Sequence, residues 1–174
     1  TAQLINEMTP GQAADVLAVL PSSEMRSILS LLNDVKARKI QAILEKHEEK
    51  ILNYATVNFL KFPPDTTVRQ AHEQYRQSAA VSDVIMYLYI VDKNDTLLGV
   101  IDNRELMKAR DDALLKDVMV DVVAELNPES TLREASAMFT RYGFRAIPVV
   151  DDTDRILGVV PYRDMMNLKH RFLE

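Results

Sequence analysis

Along residues 1–53, apolar positions recur at helical spacing in short runs separated by prolines and polar caps. Val16, Leu17 and Leu20 share one stripe. Thr9-Pro10 precedes them, an N-cap followed by proline at the first helical position. Pro21 ends that run. Ser22 or Ser23 caps the next, whose stripe is Met25, Ile28, Leu29 and Leu32. Asn33 or Asp34 opens a third, with Val35, Ile40, Ile43 and Leu44. Each run is about a dozen residues, too short to be stable as an isolated helix. The pattern therefore predicts short helices stacked into a small superhelix.

The pattern changes at Pro63-Pro64. Asp65-Thr66-Thr67-Val68 leads into an amphipathic helix carrying Val68, Ala71, His72 and Tyr75. Val84 to Val91 is a continuous, β-branched apolar run and predicts a buried strand. Lys93-Asn94-Asp95 makes a turn, Leu97 to Ile101 returns, and residues 102–109 begin a helix. The same order follows again. Asp117-Val118-Met119 opens it, Val122 to Leu126 predicts a short strand, and Asn127-Pro128-Glu129-Ser130 a turn. A helix starting at Ser130 or Thr131 runs through Tyr142 and stops at Gly143 in the left-handed conformation. Ala146 to Val150 and Leu157 to Val160 are strands, and a last helix starts at Tyr162. The segment Tyr89 to Ile101 recurs as Pro148 to Val160, and 158 − 99 and 166 − 107 both give 59. This is one strand–helix–strand–strand–helix unit written twice. Two such units bury a face against each other and leave a cleft between them.

Composition narrows the function. The chain has 174 residues, 47% hydrophobic and 27% charged, an ordinary globular balance. It has no Cys, which excludes disulfides, thiolate metal sites and a Cys nucleophile. Only 4 glycines occur, so Gly99 and Gly158, kept in both copies, stand out. Net charge is −5 and no basic footprint appears, so no nucleic-acid partner is expected. The longest apolar run falls far short of the ~20 residues that span a bilayer. The sequence opens at Thr1 without Met and reads as a piece of a longer polypeptide. His47, His72 and His170 have no companion at metal-binding spacing, and no G-x-S-x-G nucleophile is present. Asp151-Asp152-Thr153-Asp154 lacks the glycine and closing glutamate of a Ca²⁺ loop and predicts a hairpin turn. The chain is not expected to be an enzyme.

Four segments of the second copy carry a resemblance: Asp117-Val118-Met119, Asn127 through Ala135, Arg145 through Asp151, and Ile156 through Val160. Together they resemble the CBS domain, and the doubled unit resembles the CBS pair, or Bateman module. Tyr87-Leu88-Tyr89-Ile90-Val91-Asp92 is similar to a strand of MgtE-type magnesium transporters. Met8-Thr9-Pro10 with Ala14-Asp15-Val16-Leu17 resembles the N domain of that family. The resemblance implies an α+β fold: a helical superhelical domain over 1–53, then CBS domains over 54–116 and 117–174 with pseudo-two-fold symmetry. It implies a cytosolic regulatory region at the cytoplasmic face of the cell membrane. Its partners would be a membrane pore domain of the same polypeptide and a second copy, a homodimer formed through the CBS pair.

Mg²⁺ is the implied regulatory ligand, bridging the N domain and the CBS pair to favour a closed pore. Matching positions make Asp15 and Asp164 the implied metal ligands. Other usually acidic positions are Gly11, Gly143 and Asn167 here, and the family's S-A-G-x-L-M-T join keeps only Thr56. In CBS domains a carboxylate at the position of Asp164 commonly binds a nucleotide ribose. Glu105 is its first-copy equivalent, Arg104 is placed to face phosphate, and Tyr87 and Phe144 to flank an adenine. ATP or another adenine nucleotide is thus a second implied ligand. The hydroxyl residue of the family's G-x-x-T-x-x-D is Asp102 in one copy and Pro161 in the other. Acids in a first helical turn are also favoured by the helix dipole alone. A third reading is therefore a CBS pair that only dimerises.

Overall fold

The computed structural model describes residues 2–78, 80–122 and 124–171, with side chains described from residue 3 to residue 166. Four helices, α1 (Ala2–Glu7), α2 (Pro10–Leu17), α3 (Ser22–Leu29) and α4 (Asp34–His47), make the N-terminal bundle. Thr9 caps α2 reciprocally: its Oγ1 accepts the Gln12 N–H, and its own N–H donates to Gln12 Oε1. Asn33, rather than Asp34, caps α4, its Oδ1 accepting the Lys36 N–H at 2.9 Å. The start of α3 differs from the expectation. Pro21 holds the cap position without a side-chain bond, and Ser22 is already helical. The buried stripe of α2 also differs. Ala13, Ala14 and Leu17 are buried, while Val16 is exposed, as is Val35 on α4. Small alanines let α2 approach α4 closely, and that contact turns Val16 toward solvent. Ile5, Leu17, Ile40 and Ile43 close a core that belongs to the bundle alone.

A 3₁₀ turn (Ile51–Tyr54) leads out of the bundle. The first repeat then builds a three-stranded sheet. β1 (Phe59–Phe62) runs parallel to β2 (Val84–Val91), and β2 antiparallel to β3 (Leu97–Asp102). α5 (Val68–Ser78) connects β1 to β2, and α6 (Asn103–Lys108) follows β3. β1 precedes Pro63-Pro64, so the sheet begins ahead of the boundary that the prolines predict. The prolines end β1, because proline cannot donate to the ladder. β2 is buried at Val84 and over Leu88–Val91, and Met86 is exposed.

The second repeat contains α7 (Leu115–Val118), α8 (Leu132–Tyr142), β4 (Ala146–Val150), β5 (Ile156–Pro161) and α9 (Tyr162–Arg171). Thr131 and Glu134 form a capping box at α8, and Gly143 closes it at φ 67°. β4 and β5 pair as an antiparallel hairpin. The strand expected over Val122 to Leu126 does not appear. Val123 lies outside the described residues, and of its neighbours only Leu126 pairs, by a parallel bridge to Val149. Val122 and Ala124 line the gap between the copies instead of joining a sheet.

The pseudo-two-fold relation is written in reciprocal hydrogen bonds. The Leu97 N–H donates to Asp154 O at 2.8 Å, and the Ile156 N–H donates to Asp95 O at 3.0 Å. The segments leading into each copy cross to the other. Thr56 exchanges backbone bonds with Val159, and Val120 exchanges them with Val100. Likewise Ile51 is buried in the core of the second copy and Leu115 in that of the first. These crossings explain the two shared glycines. A Cβ on Gly99 would lie 2.9 Å from Val120 O, and one on Gly158 would lie 2.9 Å from the Ala55 Cβ. Between the copies a joint core forms from Val84, Tyr89, Val91, Ala146, Ile156 and Val159. Among the described residues no helix is long and apolar enough to cross a membrane.

Candidate functional site

Beside that joint core the copies separate into a cleft of about 230 Å³. Tyr87 and Tyr89 reach it from β2, which puts residues two apart on one face. Phe144 and Pro148 line it from the second copy, and Asp102 and Asp121 supply carboxylates. The sequence-predicted pair Tyr87 and Phe144 is therefore brought together. Phe144 is stacked on Tyr142, with ring centres 5.5 Å apart at 16°. The Tyr87 hydroxyl accepts the Arg145 N–H at 3.4 Å.

Tyr89 is the residue that sequence reading placed in the strand without giving it a role in the site. It is 1% exposed, its ring meets Phe59 edge-on at 5.4 Å, and its hydroxyl has no hydrogen-bond partner. Burial pushes its phenol far above the ordinary value. A buried hydroxyl without a partner costs free energy, about 1–3 kcal/mol. The signal in the sequence was the i, i+2 tyrosine pair.

The other predicted nucleotide residues stand apart from the cleft wall. Asp102 Oδ1 accepts the Arg104 N–H at 2.7 Å, so this carboxylate caps α6. The Arg104 and Glu105 side chains are exposed on α6, and Glu105 pairs with Lys108 at 2.9 Å. Asp164 lies in the first turn of α9, with the Arg163 Nε 3.5 Å from its Oδ1. None of the three lines the cleft.

A second concavity, about 390 Å³, separates the bundle from α8. Asp15 and His47 line it from the bundle, and Arg133, Ser136, Thr140 and Arg141 from α8. Ion pairs flank it. Arg133 lies 3.5 Å from Glu48, and Lys50 lies 2.5 Å from Glu129. At the exit of α4, Glu49 accepts two bonds from Lys46 at 2.8 Å and one from the Tyr54 hydroxyl. The Lys46 and Tyr54 bonds hold the Glu49 carboxyl below its usual range, while burial, ahead of Glu49, raises the Tyr54 phenol.

Mg²⁺ takes oxygen ligands, carboxylates above all. Among the described residues no second carboxylate joins Asp15 in lining its groove. Two arginines share its groove, Asp164 does not line it, and among the described residues no three acidic or histidine side chains converge. Gly11 and Gly143 bring no donor side chain, and the Asn167 side chain lies outside those described.

Comparison with known proteins matches this architecture. The family model "MgtE intracellular N domain" matches residues 1–49, and the model "CBS domain" matches residues 51–112 and 115–171. The magnesium transporter MgtE of Enterococcus faecalis is 30% identical over 133 residues, which is 76% of this chain and 29% of that protein. The chain thus spans less than a third of that relative's length. The crystal structure of the soluble part of a magnesium transporter superposes with a TM-score of 0.68 at 29% identity, covering 98% of this chain and 66% of that one. The cytosolic domain of the Mg²⁺ channel MgtE in complex with ATP superposes with a TM-score of 0.66 at 22% identity, covering 96% and 68%. A bundle with its own core, a crossed pair of CBS units and these matches agree: the chain belongs to the MgtE family, as an MgtE intracellular N domain followed by a CBS domain pair.

Proposed function

We propose that this chain is the non-catalytic regulatory region of an MgtE-type magnesium transporter, held at the cytoplasmic face of the membrane by a pore domain of the same polypeptide. It gates that pore by moving its N-terminal bundle against the CBS pair. One observation carries the reading: the bundle closes its own core and meets the second copy across a groove flanked by ion pairs. Polar joints between separate cores permit relative motion. A ligand that binds one arrangement better then shifts the population toward it.

Mg²⁺ is the ligand that this reading assigns to the motion. The arginines beside Asp15 oppose a cation in the present arrangement. Mg²⁺ control through Asp15 and Asp164 therefore requires the bundle to sit differently on the CBS pair, and the test measures that change. Small-angle scattering and thermal melts are recorded without divalent ions and with MgCl₂ up to ~10 mM, above the weak end of divalent-site affinities. The expected result is a change in dimensions and melting temperature that Asp15→Asn and Asp164→Asn abolish. Identical curves at all concentrations would reject Mg²⁺ sensing by this region.

A second reading has its own support. The unpartnered Tyr89 hydroxyl in a cleft with Tyr87 and Phe144 suits an adenine-ring ligand. A structural neighbour is an MgtE cytosolic domain in complex with ATP. Equilibrium dialysis with adenine ligands tests it, and loss of binding in Phe144→Ala ties the ligand to the cleft. The homodimer expected through the CBS pair would use the face of α6, where Met107 is 73% exposed. A monomeric mass by light scattering at micromolar concentration would remove that part.

A further inference from the structure

We infer that the cleft between the two CBS copies takes an uncharged purine nucleoside in preference to its phosphorylated forms; the inference rests on the adenine-ring reading above. Tyr89 supplies the first reason. Its hydroxyl is buried in the cleft without a partner, so a ligand group that bonds to it removes a standing cost of the empty fold. The walls supply the second. Tyr87, Phe144 and Pro148 offer the flat apolar surfaces that a ring system needs, while Asp102 and Asp121 accept hydrogen bonds from hydroxyls or an amino group.

The same two carboxylates oppose a phosphate. Among the described residues the lining contains no Lys or Arg, the side chains that phosphates pair with. The backbone offers no substitute at the start of α6, because Asp102 Oδ1 already accepts the Arg104 N–H at 2.7 Å. The Arg104 side chain stays outside the wall, exposed on α6. Size agrees. At about 230 Å³ the cleft lies below the ~300 Å³ at which pockets for drug-sized ligands begin. A nucleoside fits that space better than a nucleoside carrying a chain of phosphates.

The test is titration calorimetry of the whole chain with adenosine, AMP and ATP, run without Mg²⁺ and repeated with it. Adenosine is expected to bind roughly tenfold more tightly than ATP, the scale of one lost charge-assisted contact, with AMP between. Asp102→Asn keeps an equally good helix cap. It should leave the melting temperature unchanged and narrow the adenosine-to-ATP ratio, and Asp121→Asn should narrow it independently. Tyr89→Phe should weaken adenosine several-fold while the protein melts at the same temperature or higher, which separates ligand contact from folding. ATP binding as tightly as adenosine, or a ratio untouched by both Asn substitutions, overturns the preference and leaves the cleft as a nucleotide site. Failure of all three ligands to bind removes the ligand reading itself, and this inference with it.

Discussion

Gly158→Ala tests the crossing of the two copies at one atom. An alanine Cβ there would stand 2.9 Å from the Ala55 Cβ and 3.1 Å from Thr56 O. At Gly99 it would stand 2.8 Å from Met119 Sδ and 2.9 Å from Val120 O. Retreat is restricted, because Thr56 and Val120 are each held to the opposing strand by a reciprocal pair of backbone bonds of 2.8–3.0 Å. Overpacking of this kind costs about 1–3 kcal/mol. Neither glycine has a positive φ, so alanine also returns about 0.4–1 kcal/mol by restricting the unfolded chain. The net loss of about 1–2 kcal/mol lowers the melting temperature by roughly 2–8 °C for a chain of this size. Gly143 is the internal control. Nothing lies within 4 Å of its would-be Cβ, but its φ is +67°, so the cost of alanine there is conformational. Gly143→Asn should recover most of the loss seen in Gly143→Ala, because Asn tolerates the left-handed region. Gly158→Asn should be worse than Gly158→Ala. Ala55→Gly should restore part of the stability of Gly158→Ala. Calorimetric melts of these variants decide it. Gly158→Ala melting at or above the wild-type temperature would refute the account of why both repeats keep a glycine.

Three further outcomes follow from the local geometry. The Asp92 carboxyl is held below its ordinary 3.8 by the Thr96 and Asn94 N–H groups, and that of Asp151 by the Thr153 hydroxyl and the Thr153 and Arg155 N–H groups. Depressed folded values mean that this stabilisation is present above pH 3.8 and is lost as pH falls below it. Melting temperature should drop on acidification through that window, and the double Asn variant should show a shallower drop. Thr131→Ala removes the α8 capping box and should cost about 1 kcal/mol in denaturant melts; no change in midpoint would count against that cap. Arg133→Glu sets a like charge against Glu48 and Asp15. Global stability should fall by less than ~1 kcal/mol, while scattering reports a larger radius of gyration. An unchanged radius would refute the ion pair as a brace of the joint.

The hairpins were legible because their information is local. Asp92 and Asp151 each fold their own turn: the Asp92 carboxylate accepts the Asn94 and Thr96 N–H groups, and the Asp151 carboxylate those of Thr153 and Arg155. Asp95 and Asp154 take the matching positive φ of 63° and 60°. Thr131, Gly143 and Asn33 announced helix ends for the same reason. The missed features are set by residues distant in the chain. Ile51 lay in a stretch read as helical and Leu115 between two predicted segments, yet each is buried in the other repeat's core. Val16 and Val35 read as core, but Ala13 and Ala14 face inward on α2 in place of Val16, and on α4 only Ile40 and Ile43 are buried. Tyr87 and Phe144 could be named as ring-binding faces from residue type alone. Tyr89 looked like filler within a buried strand, and Asp121 fell between the opening Asp117-Val118-Met119 and the strand expected from Val122.

The repeat itself misleads at one point, and that point bears on function. Exact pseudo-two-fold symmetry would give two equivalent clefts. The lead-ins that cross the sheets are not equivalent, however: Val120-Asp121-Val122 on one side answers to Thr56-Val57-Asn58 on the other. The Thr56 hydroxyl donates to Asp83 Oδ2 at 2.6 Å, and Asn58 Nδ2 donates to Val81 O at 2.5 Å. The segment before β2 is thereby tied onto its lead-in. On the opposite side Val120, Asp121 and Val122 line the open cleft. A duplicated unit can thus keep the hairpins that hold the copies together while its lead-ins diverge. One side is then free to bind a ligand and the other to brace the join with the bundle, where Ile51 and Tyr54 pack on the second copy. A ligand in the cleft contacts Phe144, which lies next to the C-terminal end of α8, and α8 is the helix that the bundle rests on. This places the proposed ligand site beside the C-terminal end of the helix whose length lines the proposed moving joint, from Arg133 to Arg141, which is the physical basis for coupling them.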